Sequence, residues 1–264
     1  MSNILISYPQ VPYDALYYVS TNAYADFRNE ENLITGERYN YAHLNSATSG
    51  TIRTEWDLGA SGSATIDHII IARADLLVLW GVSPVLIEGG NGSSPSYSTI
   101  YNDASFTSAT LLGRRATDYY ATFATSSAYR WFRYSLTSGG TGKFPSSTVH
   151  LGTLFDFDED PDPQLTVLEP GLQKSVSVDG TDHVFMTGDS RYQLDLEWAG
   201  VTDAKAETFM NDIVPRKYVF IREVTDYGTL QGAGLLHCEI VQAEHTDRKD
   251  GNNRIRARFV EILG

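Results

Sequence analysis

SSTVHLGTLFDFDEDPDP, residues Ser146 to Pro163, changes character at its middle. The first half, Val149 to Phe157, is rich in β-branched and aromatic residues with Gly152 as its one break, the composition of a strand. The second half sets Asp156, Asp158, Glu159, Asp160 and Asp162 within seven residues, with Pro161 and Pro163 among them. Like charges repel, and each proline removes a backbone donor and fixes φ, so neither a helix nor a central strand continues through the run. The stretch therefore predicts the closing strand of one domain and a stiff acidic connector to another, with domains at 1–157 and 158–264.

Outward from that point the two halves differ. Residues 1–155 have 9 basic and 12 acidic side chains, whereas 156–264 have 11 and 21, so most of the net charge of −13 belongs to the second half. Such acidity disfavours nucleic acid or an anionic membrane as a partner. Cys238 is the only cysteine, which excludes an internal disulfide and a cysteine-based zinc site. MSNILISYPQ at the start has neither a basic n-region nor an apolar h-region. The longest apolar run, Ile69 to Trp80, is broken by Arg73 and Asp75 and is too short to span a membrane. Synthesis in a reducing cytosol, where the protein is kept or from which it leaves by cell lysis, is the expectation.

The first half reads as strands and turns. Residues 1 to 45 look loop-rich, with Tyr13, Tyr17, Tyr18, Tyr24 and Phe27 among polar residues and a turn at Asn32–Gly36. Strands are expected at Thr51–Leu58, Ile66–Ala72 (buried on both faces), Val78–Ile87, Phe106–Gly113 and Tyr119–Thr125, and most strongly at Tyr129–Leu136, where aromatics and arginines crowd together. Gly89–Ser98 is a loop by composition; its sequon at Asn91-Gly92-Ser93 is expected to be unused without a secretory route.

In the second half, Asp179-Gly180 between two apolar runs signals a hairpin. Tyr192, Leu194, Leu196 and Trp198 alternate with Gln193, Asp195 and Glu197, the period of a half-buried strand. Thr202-Asp203 then caps a helix with Ala206, Phe209, Met210 and Ile213 on one face, stopped by Pro215. Strands follow at Tyr218–Ile221, Leu235–Ala243 and Ile255–Leu263. The fold class is mainly β: a jelly-roll sandwich followed by a smaller α+β domain, an antiparallel sheet with one helix.

Five segments in order, Asn32–Thr35, Glu55–Gly59, Ile66–Ile71, Tyr129–Tyr134 and His150–Phe155, together resemble the galactose-binding-like, discoidin-type (factor 5/8 C) sandwich. The stapling cysteines of its secreted members are missing here. That family binds ligands in variable loops at one end, so the resemblance implies the fold and leaves the loop residues unassigned. A sandwich of this kind joined to a sheet-plus-helix domain also resembles the minor tail and tail-tip proteins of tailed bacteriophages. That resemblance implies a structural virion protein located in the tail, made in the host cytoplasm, whose partners are other tail proteins and copies of itself in a ring. The alternative is a carbohydrate-binding module that attaches to host surface glycans.

Chemistry is sparse. Gly139–Phe144 (GGTGKF) lacks the glycine at 137 and the Ser or Thr at 144 of a phosphate loop and reads as a hairpin turn. Asp156–Asp162 offers hard oxygens for Ca²⁺ but lacks the glycine and distal glutamate of an EF-hand; a solvated linker, or a patch for a basic neighbour, is the plainer reading. The histidines, His43, His68, His150, His183, His237 and His245, have no metal spacing, and His68 and His150 read as hydrogen-bonded structural residues within strands. No GxSxG elbow occurs, and the Glu30-Glu31 pair diverges in direction. No catalytic residue, cofactor-binding residue or metal ligand is assigned, and no enzyme activity or cofactor is expected. The aromatics of residues 13–27 and Tyr119-Tyr120 could stack on sugars or anchor a subunit interface. Arg254, Arg256 and Arg258 alternate along one strand face and are expected to meet the acidic connector, or Asp195 and Glu197, of a neighbouring subunit. Their replacement by glutamate is then expected to spare the monomer and abolish assembly.

Overall fold

The computed structural model describes residues 4–12, 15–21, 42–46, 50–72, 74–75, 77, 82–104, 111–113, 117–138, 142–146, 149–168, 171–176, 182–187, 190–223, 234–247 and 253–262. The chain is mainly β, as its sequence predicts. In order the strands are β1 Ile4–Pro9, β2 Leu16–Thr21, β3 Ala42–Ser46, β4 Gly50–Asp57, β5 His68–Ile71, β6 Val82–Gly90, β7 Ser98–Asp103, β8 Leu111–Leu112, β9 Asp118–Thr122 and β10 Trp131–Ser138. They continue with β11 Gly142–Ser146, β12 Val149–Phe155, β13 Asp162–Leu168, β14 Gly171–Val176, β15 Asp182–Thr187 and β16 Arg191–Val201. After helix α1, Asp203–Thr208, come β17 Tyr218–Glu223, β18 Leu235–Thr246 and β19 Asn253–Glu261.

Two sheets carry the architecture. A five-stranded sheet runs β2-β4-β10-β6-β7, and a ten-stranded antiparallel sheet runs β13-β16-β19-β18-β17-β1-β12-β5-β9-β8. The strands of the two halves thus belong to one ladder, joined at β1, which pairs with β12 on one side and β17 on the other. The first core lies between the two sheets: Ile69, Ile71, Tyr119, Val149 and Leu151 face Trp56, Val85, Ile87, Phe132, Tyr134 and Leu136. The second core lies under the helix, where Ile4, Ile6, Leu194, Leu196, Trp198, Val219, Ile221, Leu236, Ile255 and Phe259 meet Ala206, Phe209 and Ile213. One face of β12 serves both, with Val149 and Leu151 in the first core, Phe155 packed against the second and Phe157, just beyond the strand, within it.

The first corrections concern the N-terminus and the helix. Residues 1 to 45 are not loop-rich throughout, because Ile4–Pro9 and Leu16–Thr21 are strands; the turn at Asn32–Gly36 and the pair Glu30-Glu31 lie outside the described residues, as do Tyr13, Tyr24 and Phe27. The helix covers the predicted apolar face, but Thr202 makes no side-chain cap bond; Ala206 donates from its backbone to the Thr202 carbonyl instead (3.0 Å). Its regular part ends at Thr208. A wider π-turn (Phe209–Ile213) keeps Phe209 and Ile213 inward, and a 3₁₀ turn containing Pro215 closes it, since proline cannot supply the next backbone donor.

The acidic run does break the chain, with Asp158 in the left-handed region (φ 66°). Regular structure resumes earlier than predicted, at Asp162, as the edge strand β13 on β16. An edge is where a strand tolerates a proline such as Pro163. The basic neighbour of the run is in the same chain: Lys205 of the helix donates to the Asp156 carbonyl and pairs with the Asp158 carboxylate.

Candidate functional site

Strand β10 organises the outer face of the five-stranded sheet. Phe132, Tyr134 and Leu136 point into the core, so Trp131 and Arg133 point the other way by the period of two. Arg133 is held by β6 through Glu88 (Nε to Oε2, 2.7 Å) and lies 3.8 Å from Glu55 of β4. Its guanidinium carbon sits 3.8 Å from the centroid of the Tyr97 ring, which lies over this charged trio. Burial, and then the Glu55 carboxylate, push the Tyr97 hydroxyl up to about 12. Burial alone would lower Arg133, but Glu88, Tyr97 and Glu55 together outweigh it and raise the guanidinium.

At the end of that sheet a rim is fixed by hydrogen bonds. Arg130 grips Asp57 with two donors (Nε to Oδ1, 2.5 Å; Nη2 to Oδ2, 2.6 Å), and this holds the Asp57 carboxyl below its usual range. Asn91 accepts from the Arg130 backbone at 3.0 Å and donates to the Ala128 carbonyl at 3.3 Å, while Trp131 donates its indole N–H to the Gly92 carbonyl at 2.8 Å. The Arg130 guanidinium lies 5.1 Å from the centroid of Trp131. Gly89 and Gly90 permit the close approach, since a Cβ at 89 would stand 2.2 Å from the Tyr129 ring and one at 90 would stand 2.8 Å from Pro95. The loop thus strapped down presents exposed Asn91, Ser93, Ser94 and Ser96, with Asn91 bonded to the Arg130 backbone.

The predicted pair Tyr119-Tyr120 does not stack on anything outside. Tyr119 is buried, turned into the first core, and donates to Asp103 (2.7 Å). Tyr120 faces the other side of the sheet beneath Arg222, whose guanidinium is 5.2 Å from its ring. Tyr17 and Tyr18 lie in β2.

The arginine ladder is also corrected. Strands β16 and β19 are neighbours in register, with Asp195 opposite Arg258 and Glu197 opposite Arg256. Arg258 pairs with Asp195 at 2.6 Å, Arg256 with Glu197 at 2.5 Å and Arg254 with Glu197 at 2.9 Å, all within one chain. The carboxylates expected on a neighbouring subunit therefore sit on the adjacent strand. An open groove of about 420 Å³ runs over this ladder, bordered by Asp162, Gln164, Glu244, Arg256 and Arg258.

Sequence reading placed His68 and His150 as structural residues, and both are buried and hydrogen-bonded. It missed what binds them. Ser7 of β1 bridges His68 Nε2 and His150 Nε2 (2.7 Å to the latter), and His68 Nδ1 lies 2.7 Å from Asp67 Oδ1. Asp67, His68 and Ser7 stand in the order acid, base and hydroxyl. Ser7 is fully buried, however, so no substrate reaches its oxygen in this state. Among the described residues no group of three or more His, Cys, Asp or Glu is placed to hold a metal ion, and no helix is long and apolar enough to cross a membrane. The loop Gly139–Thr141 lies outside the described residues.

No protein-family model and no curated protein matches the chain. Solved structures similar to part of it include a Ruminococcus gnavus GH29 fucosidase in complex with fucose (12% identity, TM-score 0.40, 56% of this chain and 27% of that one). Others are chitosan-binding module 1 of a chitosanase/glucanase from Paenibacillus sp. IK-5 (10%, 0.39, 55% and 98%) and the CBM32-1 and CBM32-2 domains of Clostridium perfringens ZmpB in complex with GalNAc (14%, 0.38, 56% and 35%). The chain spans about a quarter of the fucosidase's length.

Proposed function

We propose that the chain is a non-catalytic glycan-binding protein whose site is the rim of the five-stranded sheet around Asn91, Arg130 and Asp57. The observation that carries this reading is the rigidly hydrogen-bonded rim itself. It joins the Arg130 guanidinium to the Asp57 carboxylate and the Asn91 amide to the Arg130 backbone, with Trp131 bonded to the Gly92 carbonyl and exposed serines in the same loop as Asn91. Vicinal sugar hydroxyls are recognised by groups of this kind, which accept and donate in one plane and are positioned in advance by a stiff scaffold. The sequence resemblance to galactose-binding-like sandwiches agrees with loops at one end as the binding region. Glycan-array screening of the full chain, followed by calorimetry on the best ligand, tests it. Arg130→Ala, checked for folding, is expected to weaken binding at least about tenfold, roughly 1.4 kcal/mol. Absence of binding to any glycan at millimolar concentration would refute the reading.

A second reading, a structural tail or tail-tip subunit of a bacteriophage, rests on the sequence resemblance; an exposed sheet edge suits assembly of any kind and does not single it out. The edge strand β13 is exposed along most of its length, including Val167, which is 41% exposed. An open edge is a template for another chain's strand. The arginine ladder, paired within the chain, gives that reading no support. Copurification with virus particles at fixed stoichiometry is its test.

A further inference from the structure

The face of the ten-stranded sheet opposite the two cores holds a row of rings where the halves of the chain meet. Tyr120, His68, His150, Phe220 and His237 follow one another with centroid separations of 5.9, 5.6, 5.2 and 4.3 Å. They belong to β9, β5, β12, β17 and β18. Between β12 and β17 runs β1, where Ser7 stands opposite Phe220 and its hydroxyl reaches the His150 ring, which meets Phe220 edge to face. All three imidazoles and Ser7 are excluded from solvent.

One set of proton positions satisfies the Ser7 bridge with both rings neutral. With His68 Nδ1–H donating to Asp67, His68 Nε2 is an acceptor and takes the Ser7 hydroxyl proton. The Ser7 oxygen then accepts N–H from His150 Nε2. The arrangement is complete with neutral rings. A proton added at His68 turns its Nε2 into a donor toward the same hydroxyl. The Ser7 hydrogen must then turn to His150 Nε2, which has to move its own proton to Nδ1, and the added charge stays in a dry site. A proton on His150 adds a second cation beside the first in a dry site.

Among the described residues, the charged and polar groups around the row are these. Asp67 is the carboxylate on His68. From β17, Arg222 over Tyr120 is already positive, and Tyr218 and Phe220 are neutral. From β18, Glu239 is paired with Lys217 at 3.2 Å, and from β9, Asp118 takes a hydrogen bond from Thr117.

We propose that this row is an acid-operated latch: neutral, it locks β1 between the two halves of the sheet, and protonated, it releases β1. Burial lowers His68 despite the opposing pull of Asp67, and burial and then His68 lower His150 well below its ordinary value. The sign follows. A histidine whose folded value is depressed takes up a proton on opening, so the closed state is fully held above the ordinary imidazole value of ~6.5 and weakens as pH falls below it. Each such proton multiplies the opening constant about tenfold per pH unit, so the pair gives about 100-fold.

Cys238, the only thiol, reports the event. It is buried in the core that Ile4 and Ile6 of β1 complete, two strands away across β17, so it is uncovered when release of β1 opens that core. Its labelling by 4,4′-dithiodipyridine, relative to a cysteine peptide at the same pH, is expected to be negligible at pH 7.5 and to climb steeply from pH 6 to 5, approaching 100-fold per unit. In His150→Phe the slope falls to about tenfold. A relative rate independent of pH overturns the latch, as does an unchanged slope in that variant. Should the variant fail to fold at pH 7.5, imidazole ¹⁵N shifts of the wild-type protein decide. Neutral rings at pH 6 in a folded spectrum support the latch, and charged rings in an intact fold refute it.

Discussion

Gly152 tests how tightly β1 is clamped, through the single change Gly152→Ala. A Cβ built there would lie 2.3 Å from the Tyr8 carbonyl oxygen, 2.8 Å from His150 Nε2 and 3.2 Å from His68 Cε1. The nearest of these atoms is backbone in the paired strand, where Pro9 stands opposite Gly152, and the others belong to rings held by Ser7. None is the free end of a flexible side chain. Relief therefore requires β1 and β12 to separate by about 1 Å at the clash, which loosens ladder bonds and the Ser7 bridge together. Overpacking costs typically ~1–3 kcal/mol, and this site belongs at or above the top of that range. About 3 kcal/mol corresponds to a melting temperature lowered by roughly 6–12 °C in a chain of this size. Urea unfolding at pH 7.5 measures it, with Gly59→Ala as the comparison. At Gly59 φ is +82° but nothing lies within 4 Å of the new Cβ, so the cost there is the backbone term alone, ~1–2 kcal/mol. A Gly152→Ala protein no less stable than Gly59→Ala would show that the clamp does not exist as described.

Three further substitutions probe other parts of the molecule. Phe209→Ala empties a fully buried position beneath the π-turn, touching Phe157 and Trp198, and is expected to cost ~3–5 kcal/mol, read as a lower urea midpoint. Arg133→Met leaves Glu88 and Glu55 facing each other under Tyr97 and should cost about 2 kcal/mol, less than a fully buried pair because the side chains retain some exposure; Arg133→Met with Glu88→Gln should recover part of it. Replacing Arg254, Arg256 and Arg258 together by glutamate sets like charges opposite Asp195 and Glu197, so the monomer itself should lose stability, and the loss should shrink in high salt. A triple variant as stable as the parent at low salt contradicts the pairing.

What could be read from the sequence is what one strand or helix decides by itself. The alternation Tyr192–Trp198 became the buried side of β16, and Ile69–Ile71 lies in a strand buried on both faces. Ala206, Phe209 and Ile213 face the core although the helix changes pitch beneath them. Partnership was not legible. Both members of the Arg258–Asp195 pair were visible as outward positions of alternating strands, but nothing local says that those strands are neighbours. Ser7 is 61 residues from His68 and 143 from His150, and MSNILISYPQ is too short a pattern to announce a strand that sits mid-sheet. The rim was missed for the same reason, since Asp57 and Arg130 are 73 residues apart and Gly89–Ser98 looks like any polar loop until Asn91 is seen strapping it.

The position of β1 bears on how far the two halves are independent. Their cores are distinct, while Lys205 ties the acidic run back to the second half and strands of both halves share one sheet. Ile4 and Ile6 belong to the second core while the strand that carries them follows no residue of that half in sequence. The second core is therefore completed only when the chain's first strand has been laid against β17, after some 210 residues have intervened between Ile6 and Ile221 (roughly (3/2)RT ln n in closure entropy, ~5 kcal/mol before the constant). Once β12 has paired with β1 at Ile6–Pro9, the intervening loop is shortened to about a third of that length, because Phe155 then anchors the start of the second half beside Ile6. On this argument β12 pairs with β1 before β17 does. The second half then builds onto an edge that the first has prepared, with Ser7 closing the histidine row only when both sides are in place.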